Sequence, residues 1–224
     1  MTIGTRVAIC FLLGMLAGCS FALPDAGDGK TLFVLEDDSQ QKVSVGPTIP
    51  ADLMVRDAVS SPFLDSQRIV FSPGEGRRGF FQLAKWTESP VRRFSRLVAE
   101  RIESLSLFNS VTNQASGALA EFALSLEILD FYYDYDSRPG SVRFRVRGEL
   151  VRLTDRELIA SKLFDVAVPV ESESASGAVR ASNIAVGQVI DHMIPWLEEA
   201  SRGALARDRE PPRTRVGEHI ANDE

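Results

Sequence analysis

The stretch "ALAEFALSLEILDFYYDYD", residues 118–136, decides the fold because it predicts one long β-strand that changes phase midway. Apolar side chains first occupy every second position. After Ile128 the apolar set moves by one residue, which turns it to the other face of a strand. We therefore expect a bulge near Ile128. The apolar positions are Phe122, Leu124, Leu126 and Ile128 before the shift, and Leu129, Phe131 and Tyr133 after it.

Two further strands follow, each after a short polar turn. "SVRFRVRGELVRL", residues 141–153, alternates apolar side chains with arginines, and "LIASKLFDVAVPV", residues 158–170, is again strand-like. The connections, "SRPG" and "TDRE", are short enough for hairpins. Three consecutive strands joined in this way predict an antiparallel meander.

Two amphipathic helices are predicted, one on each side of the meander in the chain. Ser89 suits an N-cap and Pro90 a first helical position. A second helix is expected from about Ala178 to Ala200, with Pro195 in its last turns. Apolar residues recur in both at steps of three and four. These residues are Val91, Phe94, Val98, Ile102 and Leu105 in the first helix, and Val179, Val186, Ile190, Met193 and Leu197 in the second.

Shorter strands are predicted upstream, and together with the helices they define a fold class. The strand-like segments are residues 31–36, 51–59, 69–71 and 80–86, and the glycine-rich "GEGRRG" joins the last two as a hairpin. One amphipathic sheet and two amphipathic helices bury their apolar surfaces against each other. We expect an α+β two-layer sandwich, in which an antiparallel or mixed β-sheet carries both helices on one face.

The N-terminus has the parts of a secretory signal. Arg6 precedes an apolar run, Val7 to Leu16, which is about half the roughly 20 residues that a membrane-spanning helix needs. Leu16-Ala17-Gly18-Cys19 resembles the bacterial lipobox, in which the chain is cut before the cysteine. Its thiol then carries diacylglycerol and its amine an acyl chain. An ordinary signal peptide with an incidental Cys19 is the alternative. On the lipobox interpretation, Cys19→Ala abolishes palmitate labelling.

Composition and charge limit what the mature chain can do. The 25 basic residues lose Arg6 with the signal, so 24 face 31 acidic residues, and the net charge is 24 − 31 = −7. A net acidic domain is a poor candidate for binding nucleic acid. Cys10 also leaves with the signal, so Cys19 has no second cysteine with which to form an intramolecular disulfide. Packing and hydrogen bonds must therefore hold the core.

The chain is expected to divide into four parts. Residues 1–18 form the signal peptide, and residues 19–30 form a lipidated N-terminus with a flexible, Gly- and Asp-containing tether. Residues 31–200 form the folded domain. Residues 201–224 are charged and contain prolines, so we expect a disordered tail.

The segment "FLDSQRIVFSPGEGRRGFFQLAKWTESP", residues 63–90, resembles the signature of the ABC-type transport auxiliary lipoproteins. That family has a leucine before an Arg-Ile-Val strand, a hairpin with aromatic residues, and a tryptophan shortly before a helix that starts at proline. Further matches lie in the first strand, at the end of the first helix, in the long strand and in the closing helix. The matching residues are Leu32 to Leu35, Leu64, Arg68 to Val70, Phe80, Phe81, Trp86, Pro90, Leu107, Phe108, Val111, Asp130, Phe131, Trp196 and Leu197.

The resemblance implies a periplasmic lipoprotein that works with an MCE-domain protein and with the permease and ATPase of an ABC transporter. Such systems move phospholipids or other apolar molecules between the inner and outer membranes. Ser20 follows the lipidated cysteine, where aspartate favours retention in the inner membrane, so the outer membrane is expected. No cofactor beyond the covalent lipid and no nucleic acid is implied. Self-association is open.

An enzyme is not expected from these residues. His192 follows Asp191 directly, and neighbours in sequence point in different directions on a helix, so they form no ready dyad. His219 lies in the expected tail. Neither a phosphate-binding glycine loop nor a nucleophile elbow occurs in the sequence. "DFYYDYD", residues 130–136, lacks the spacing and the glycine of an EF-hand, so no metal site is predicted.

Two functions remain for the candidate site residues. In the first, the domain is an adaptor, and Cys19 attaches it to the membrane. In the second, it is a lipid carrier whose groove between helices and sheet is lined by Phe94, Val98, Phe122 and Ile190. Aromatic side chains are the expected partner or groove contacts in both cases, because they dominate buried interfaces. They are Phe80, Phe81, Trp86, Phe94 and Tyr133.

Arginines mark two further faces. Arg92, Arg93, Arg96 and Arg101 make the first helix basic, either as a solvated face with an Arg96–Glu100 pair or as a docking face for an acidic partner or anionic headgroups. Arg143, Arg145 and Arg147 point outward from a strand, where a solvated face or cross-strand ion pairs are expected.

Overall fold

The computed structural model describes residues 29–39, 43, 45–136 and 138–209, and the folded unit begins at Thr31. Its α+β class is the one predicted: a mixed sheet that curls into a half-barrel, with two helices. The strands are β1 Thr31–Phe33, β2 Ile49–Val55, β3 Val59–Ser60, β4 Arg68–Ser72, β5 Gly79–Trp86, β6 Phe108–Asn113, β7 Phe122–Asp134, β8 Ser141–Arg152 and β9 Leu158–Pro169. The helices are α1 Pro90–Ser104 and α2 Ala175–Arg209, and a 3₁₀ turn covers Gln114–Ser116.

The meander β7–β8–β9 is confirmed, with antiparallel pairing throughout. Its register shifts between Ile128 and Asp130, at the predicted bulge. Because the strand changes phase there, Ile128 and Phe131 both point inward, and each is at most 6% exposed.

The long strand β7 organises the other half of the sheet. Three short strands, β2, β3 and β4, pair with it one after another, all in parallel, along the edge opposite β8. β6 then adds in parallel to β2, and the β4–β5 hairpin carries β1 at its outer edge. The sheet is therefore mixed, and β1, β6 and β9 lie at its edges.

Helix α1 begins as the sequence predicts. The Ser89 side chain accepts a hydrogen bond from the backbone N–H of Val91, and Pro90 occupies the first turn. The predicted apolar face is buried, and Phe94, Val98 and Ile102 are fully covered. Phe94 packs edge-on against Phe144 of β8, with ring centroids 5.1 Å apart, and so joins the helix to the sheet.

Helix α2 is longer than predicted, and this corrects the position of the tail. It continues through Ser201 to Arg209, and Ser201 and Ala204 are fully buried. Small residues continue the apolar stripe there, and Asp208 pairs with Arg152 of β8, so the charged stretch packs onto the domain. The tail predicted from residue 201 therefore does not begin before residue 210. Residues 210–224 lie outside the described part, as do the signal peptide and most of the tether.

The segment between β1 and β2 lies on the two helices from Leu35 onward, wherever it is described. The backbone N–H of Glu36 donates to Asn183 Oδ1 at 3.2 Å, and that of Gly46 donates to Glu198 Oε1 at 2.9 Å. Arg93 Nε donates to the carbonyl of Leu35 at 3.2 Å. We call residues 35–39, 43 and 45–48 the strap, since they contact both α1 and α2.

Candidate interaction surfaces

Cys19, the expected lipid attachment site, lies outside the described residues. The structure therefore gives no geometry for it. Thr31, the first residue of the fold, is the point at which any anchor at Cys19 is joined to the domain.

Trp86 and Phe94, two of the five expected contact residues, lie in the core. Trp86 is 2% exposed, and its ring is nearly parallel to that of Phe131, with centroids 6.1 Å apart. Its backbone N–H donates to the carbonyl of Gln67 at 2.7 Å, which closes the base of the β4–β5 hairpin. Since Phe94 is fully buried as well, neither side chain offers a surface to a partner in this structure.

Tyr133 is also a core residue, and it has an unusual environment. It is 1% exposed, and its hydroxyl has no hydrogen-bond partner among the described residues. Burial raises the pKa of the Tyr133 hydroxyl, and the neighbouring Tyr135 and Glu173 add to that effect. A Cβ at Gly140 would lie 2.5 Å from the Tyr133 hydroxyl oxygen, so glycine is required there.

The proposed cargo groove between helices and sheet is filled by side chains. Phe94, Val98, Phe122 and Ile190, its expected lining, are all fully buried in one continuous hydrophobic core. A cavity under the β4–β5 hairpin, next to Trp86, has a volume of about 10 Å³. That volume is about the space of a single water molecule, far below that of an acyl chain.

Phe80 and Phe81 are the expected contact residues that reach the surface. Both are half-buried. The Phe80 ring lies 4.8 Å from that of Phe63, and the guanidinium of Arg68 sits 3.8 Å from the Phe80 ring centre. Phe81 contacts Phe71 and borders an apolar surface pocket of about 200 Å³. The other residues of that pocket are Thr31, Phe33, Leu83, Ala84, Ala175 and Ser176.

The arginines of α1 divide between a surface and a buried cluster. Arg96 pairs with Glu88, which precedes the helix, so the expected Arg96–Glu100 pair is replaced. Arg93 forms an ion pair with Glu100 at 3.4 Å. Arg101 instead points inward, with its side chain 16% exposed, and bridges Asp37 of the strap at 2.6 Å and Asp191 of α2 at 2.9 Å.

Sequence reasoning missed this ionic cluster because its three charged residues lie far apart in the chain. Ser39 completes it, donating from its hydroxyl to the Asp191 carboxylate at 2.7 Å. Burial raises the pKa of Asp37, against the lowering effect of the Arg101 charge. One feature of the sequence could have indicated the cluster: Asp191 directly follows Ile190, a residue of the apolar stripe of α2. A carboxylate at that position needs a cation.

The outward arginines of β8 form the expected cross-strand pairs. Arg145 contacts Asp130 of β7 at 2.9 Å, and Arg147 contacts Glu127 of the same strand at 2.7 Å. Arg143 contacts Asp165 of β9 at 3.4 Å. This part of the helix-free face is therefore electrically balanced.

Asp191 and His192 lie in different environments in the described structure. Asp191 is engaged by Arg101 and Ser39, while the next residue, His192, is exposed. Among the described residues, no three His, Cys, Asp or Glu side chains are grouped so that they could hold a metal ion. In the same residues, no helix has the length and apolarity to cross a membrane.

The family model of the ABC-type transport auxiliary lipoprotein component matches residues 33–194, most of the described domain. The chain belongs to this family. The match covers the hairpin, α1, the meander and the first part of α2, and the last turns of α2 lie beyond it. Members of this family are lipoproteins of the cell envelope that assist ABC-type transport.

Solved structures of similar fold agree with the architecture. Protein XCC0632 from Xanthomonas campestris is 19% identical, with a TM-score of 0.73, and the match covers 79% of this chain and 99% of that one. The hypothetical protein CT253 from Chlamydia trachomatis is 13% identical, with a TM-score of 0.51, and the match covers 69% of this chain and 99% of that one. At these identities the likeness is one of fold. No match was found among curated proteins.

Proposed function

We propose that this family member is a lipid-anchored periplasmic adaptor subunit of an MCE-type ABC transporter that moves phospholipid or other apolar molecules across the envelope. The observation that carries the proposal is the filled interior. A family member that assists transport, and whose expected cargo groove is filled by core side chains in the described residues, acts by binding other subunits.

The anchor is proposed at Cys19, within Leu16-Ala17-Gly18-Cys19. Each buried methylene of a lipid chain contributes roughly 0.8 kcal/mol, and one chain alone attaches a protein weakly. A diacylglyceryl group with an N-acyl chain makes attachment lasting. Ser20 at the next position supports placement in the outer membrane, facing the periplasm.

A carrier is the less favoured alternative, since the expected lining of its groove is buried in the core, and the larger pocket between β9 and α2, of about 380 Å³ beside Ile159 and Trp196, is open at the surface. The pocket beside Phe81 is shallow and open, and it offers a contact surface. Partner binding is therefore assigned to the surface around Phe80 and Phe81, with Trp86, Phe94 and Tyr133 supporting it from the core.

Affinity purification from native membranes tests the adaptor against the carrier. We expect the tagged lipoprotein to retain an MCE-domain protein and a transporter ATPase, and to carry no stoichiometric noncovalent lipid. Phe81→Asp should reduce retention of the MCE protein when equal amounts of folded protein are compared, a check that is needed because the half-buried ring also packs on Phe71 and Tyr133. Leu158→Asp, on the distant edge strand β9 and 54% exposed, is the matched control.

Stoichiometric phospholipid on the isolated domain, with no MCE-domain protein retained, would contradict the adaptor and support the carrier. If the Phe81 and Leu158 variants retained the MCE-domain protein equally, the assignment of the binding surface would be contradicted, but the adaptor role would not.

A further inference from the structure

Two cations face each other on the helix-free side of the sheet. Lys85 of β5 lies directly opposite Arg68 of β4 in the antiparallel hairpin, and on its other side it pairs with Leu32 of β1. The three residues form one row across three strands. Among the residues that the structure describes, neither Arg68 nor Lys85 has an acidic side chain within ion-pair distance, in contrast to Arg143, Arg145 and Arg147.

Like charges placed directly across two strands destabilise a sheet. The arrangement is further fixed by Phe80, whose ring lies 3.8 Å from the Arg68 guanidinium and holds that group in place. A fixed guanidinium beside an ammonium is suited to bind a phosphate group, since arginine offers two parallel donors and lysine a point charge. The row therefore has the charge and geometry for an anion.

Exposed aliphatic side chains surround this pair. Leu32 is 55% exposed, Val34 is 47% exposed, and Leu83 is 71% exposed. Scattered single aliphatic residues on a surface are ordinary, but here three lie on or next to two paired strands around these two cations. Residues Leu32, Val34, Arg68, Leu83 and Lys85 are called the β1–β5 patch below.

We infer that the β1–β5 patch is a membrane-docking face: Arg68 and Lys85 bind lipid phosphates while Leu32, Val34 and Leu83 enter the interfacial layer. The inference rests on the proposed lipid anchor. Its occupant follows from chain length. Eleven residues, 20–30, lie between Cys19 and Thr31, and the twelve steps from Cys19 to Thr31 span at most about 40 Å when fully extended. The patch begins at the next residue, Leu32, so the anchor keeps it beside a membrane surface.

Tethering also makes weak contacts sufficient. A short tether gives an effective concentration of the order of millimolar, so a patch whose own Kd is about 1 mM is docked roughly half of the time. The role of the patch is orientation. It turns the exposed side chains of β1 and β5 toward the membrane and the β9 edge away from it.

Depth-dependent fluorescence on the full lipidated chain tests this face. With Cys10 removed and the Cys19 thiol acylated, Leu83→Cys introduces a single free thiol for an environment-sensitive dye. Leu158→Cys on β9 is the matched control. Both proteins are reconstituted in vesicles of phosphatidylethanolamine and phosphatidylglycerol, with and without brominated lipid as quencher. We expect quenching at position 83 to be several times that at position 158.

A charge-reversal pair separates docking from simple proximity. Arg68→Glu with Lys85→Glu should bring quenching at position 83 down to the level of position 158. Arg92→Glu with Arg207→Glu, which makes the same change in net charge at exposed positions elsewhere, should leave it unchanged.

Vesicle flotation in the same samples keeps the two claims apart. Failure to float would refute the anchor at Cys19 and with it this placement. Flotation with equal quenching at positions 83 and 158 would refute the docking face alone. Protection of position 83 only after an acidic partner protein is added would also overturn it, and would assign the patch to that protein.

Discussion

Single aromatic residues show what residue type can and cannot predict. Phe80, Phe81, Trp86, Phe94 and Tyr133 share the composition of an interface, and all five were expected at one. Burial separates them: Trp86 and Tyr133 are at most 2% exposed, whereas Phe80 and Phe81 remain half-buried. The difference arises from strand pairing with β7 and from contact with Phe131, both of which lie far away in sequence.

Trp86→Ala should destabilise the domain by about 3–5 kcal/mol, because it removes a buried ring and leaves a cavity beside Phe131. The measurement is the free energy of unfolding by chemical denaturation. Leu83→Ala, three residues away on the same strand and 71% exposed, should change stability by less than about 0.5 kcal/mol. A small loss at Trp86 would place its main contribution at an interface.

Asp37 gives a prediction on pH. Its pKa is raised by burial, so the folded chain holds that proton more tightly than the unfolded chain does. The charged form therefore lowers stability at neutral pH. This unfavourable contribution disappears as pH falls through the raised pKa, and is gone below the ordinary value of about 3.9.

The native chain should therefore gain stability relative to the Asp37→Asn variant as pH falls from 7 toward 4. The measurement is the difference between their free energies of unfolding. Asp57→Asn, an exposed carboxyl, controls for the change in net charge. A difference that grows in favour of Asp37→Asn on acidification would contradict the raised pKa.

At the scale of elements, local patterns predicted most of the structure. The Ser89 cap, the apolar face of α1, the meander and the bulge after Ile128 were all confirmed, because each depends on neighbours in sequence. The end of α2 was predicted wrongly because its burial depends on residues that are distant in sequence. Its charged residues suggested a tail, while Ser201 and Ala204 are buried by contacts that only the folded chain provides.

Two glycines of α2 test how closely the strap packs on that helix. A Cβ at Gly187 would lie 2.7 Å from the backbone nitrogen of Ser39, while a Cβ at Gly203 meets nothing within 4 Å. We expect Gly187→Ala to destabilise by about 1–3 kcal/mol, since it pushes the strap away. Gly203→Ala should stabilise by up to about 1 kcal/mol through helix propensity.

Both values are obtained from denaturation midpoints of the purified domain. Opposite signs at the two positions are the expected result. Stabilisation by both substitutions would show that the strap does not pack on α2.

At the scale of the whole molecule, the parallel pairings were beyond sequence reasoning. β2, β3 and β4 all pair with β7, which follows them by dozens of residues. No short turn connects them to β7, so the sequence does not predict which residues pair. The ionic cluster of Asp37, Arg101 and Asp191 depends on the same long-range assembly. Of the candidate surfaces, the Phe80–Phe81 region was predictable by resemblance, and the Arg68–Lys85 row was not.

The filled core and the family together make the chain an attached adaptor in our account. Intact-mass spectrometry of the protein extracted from its native membrane tests that account most directly. We predict a chain of residues 19–224 whose mass is increased by a diacylglyceryl group and an N-acyl chain, with no additional noncovalent lipid. A freely soluble product with an unmodified thiol at Cys19, or one that retains stoichiometric lipid cargo, would contradict it.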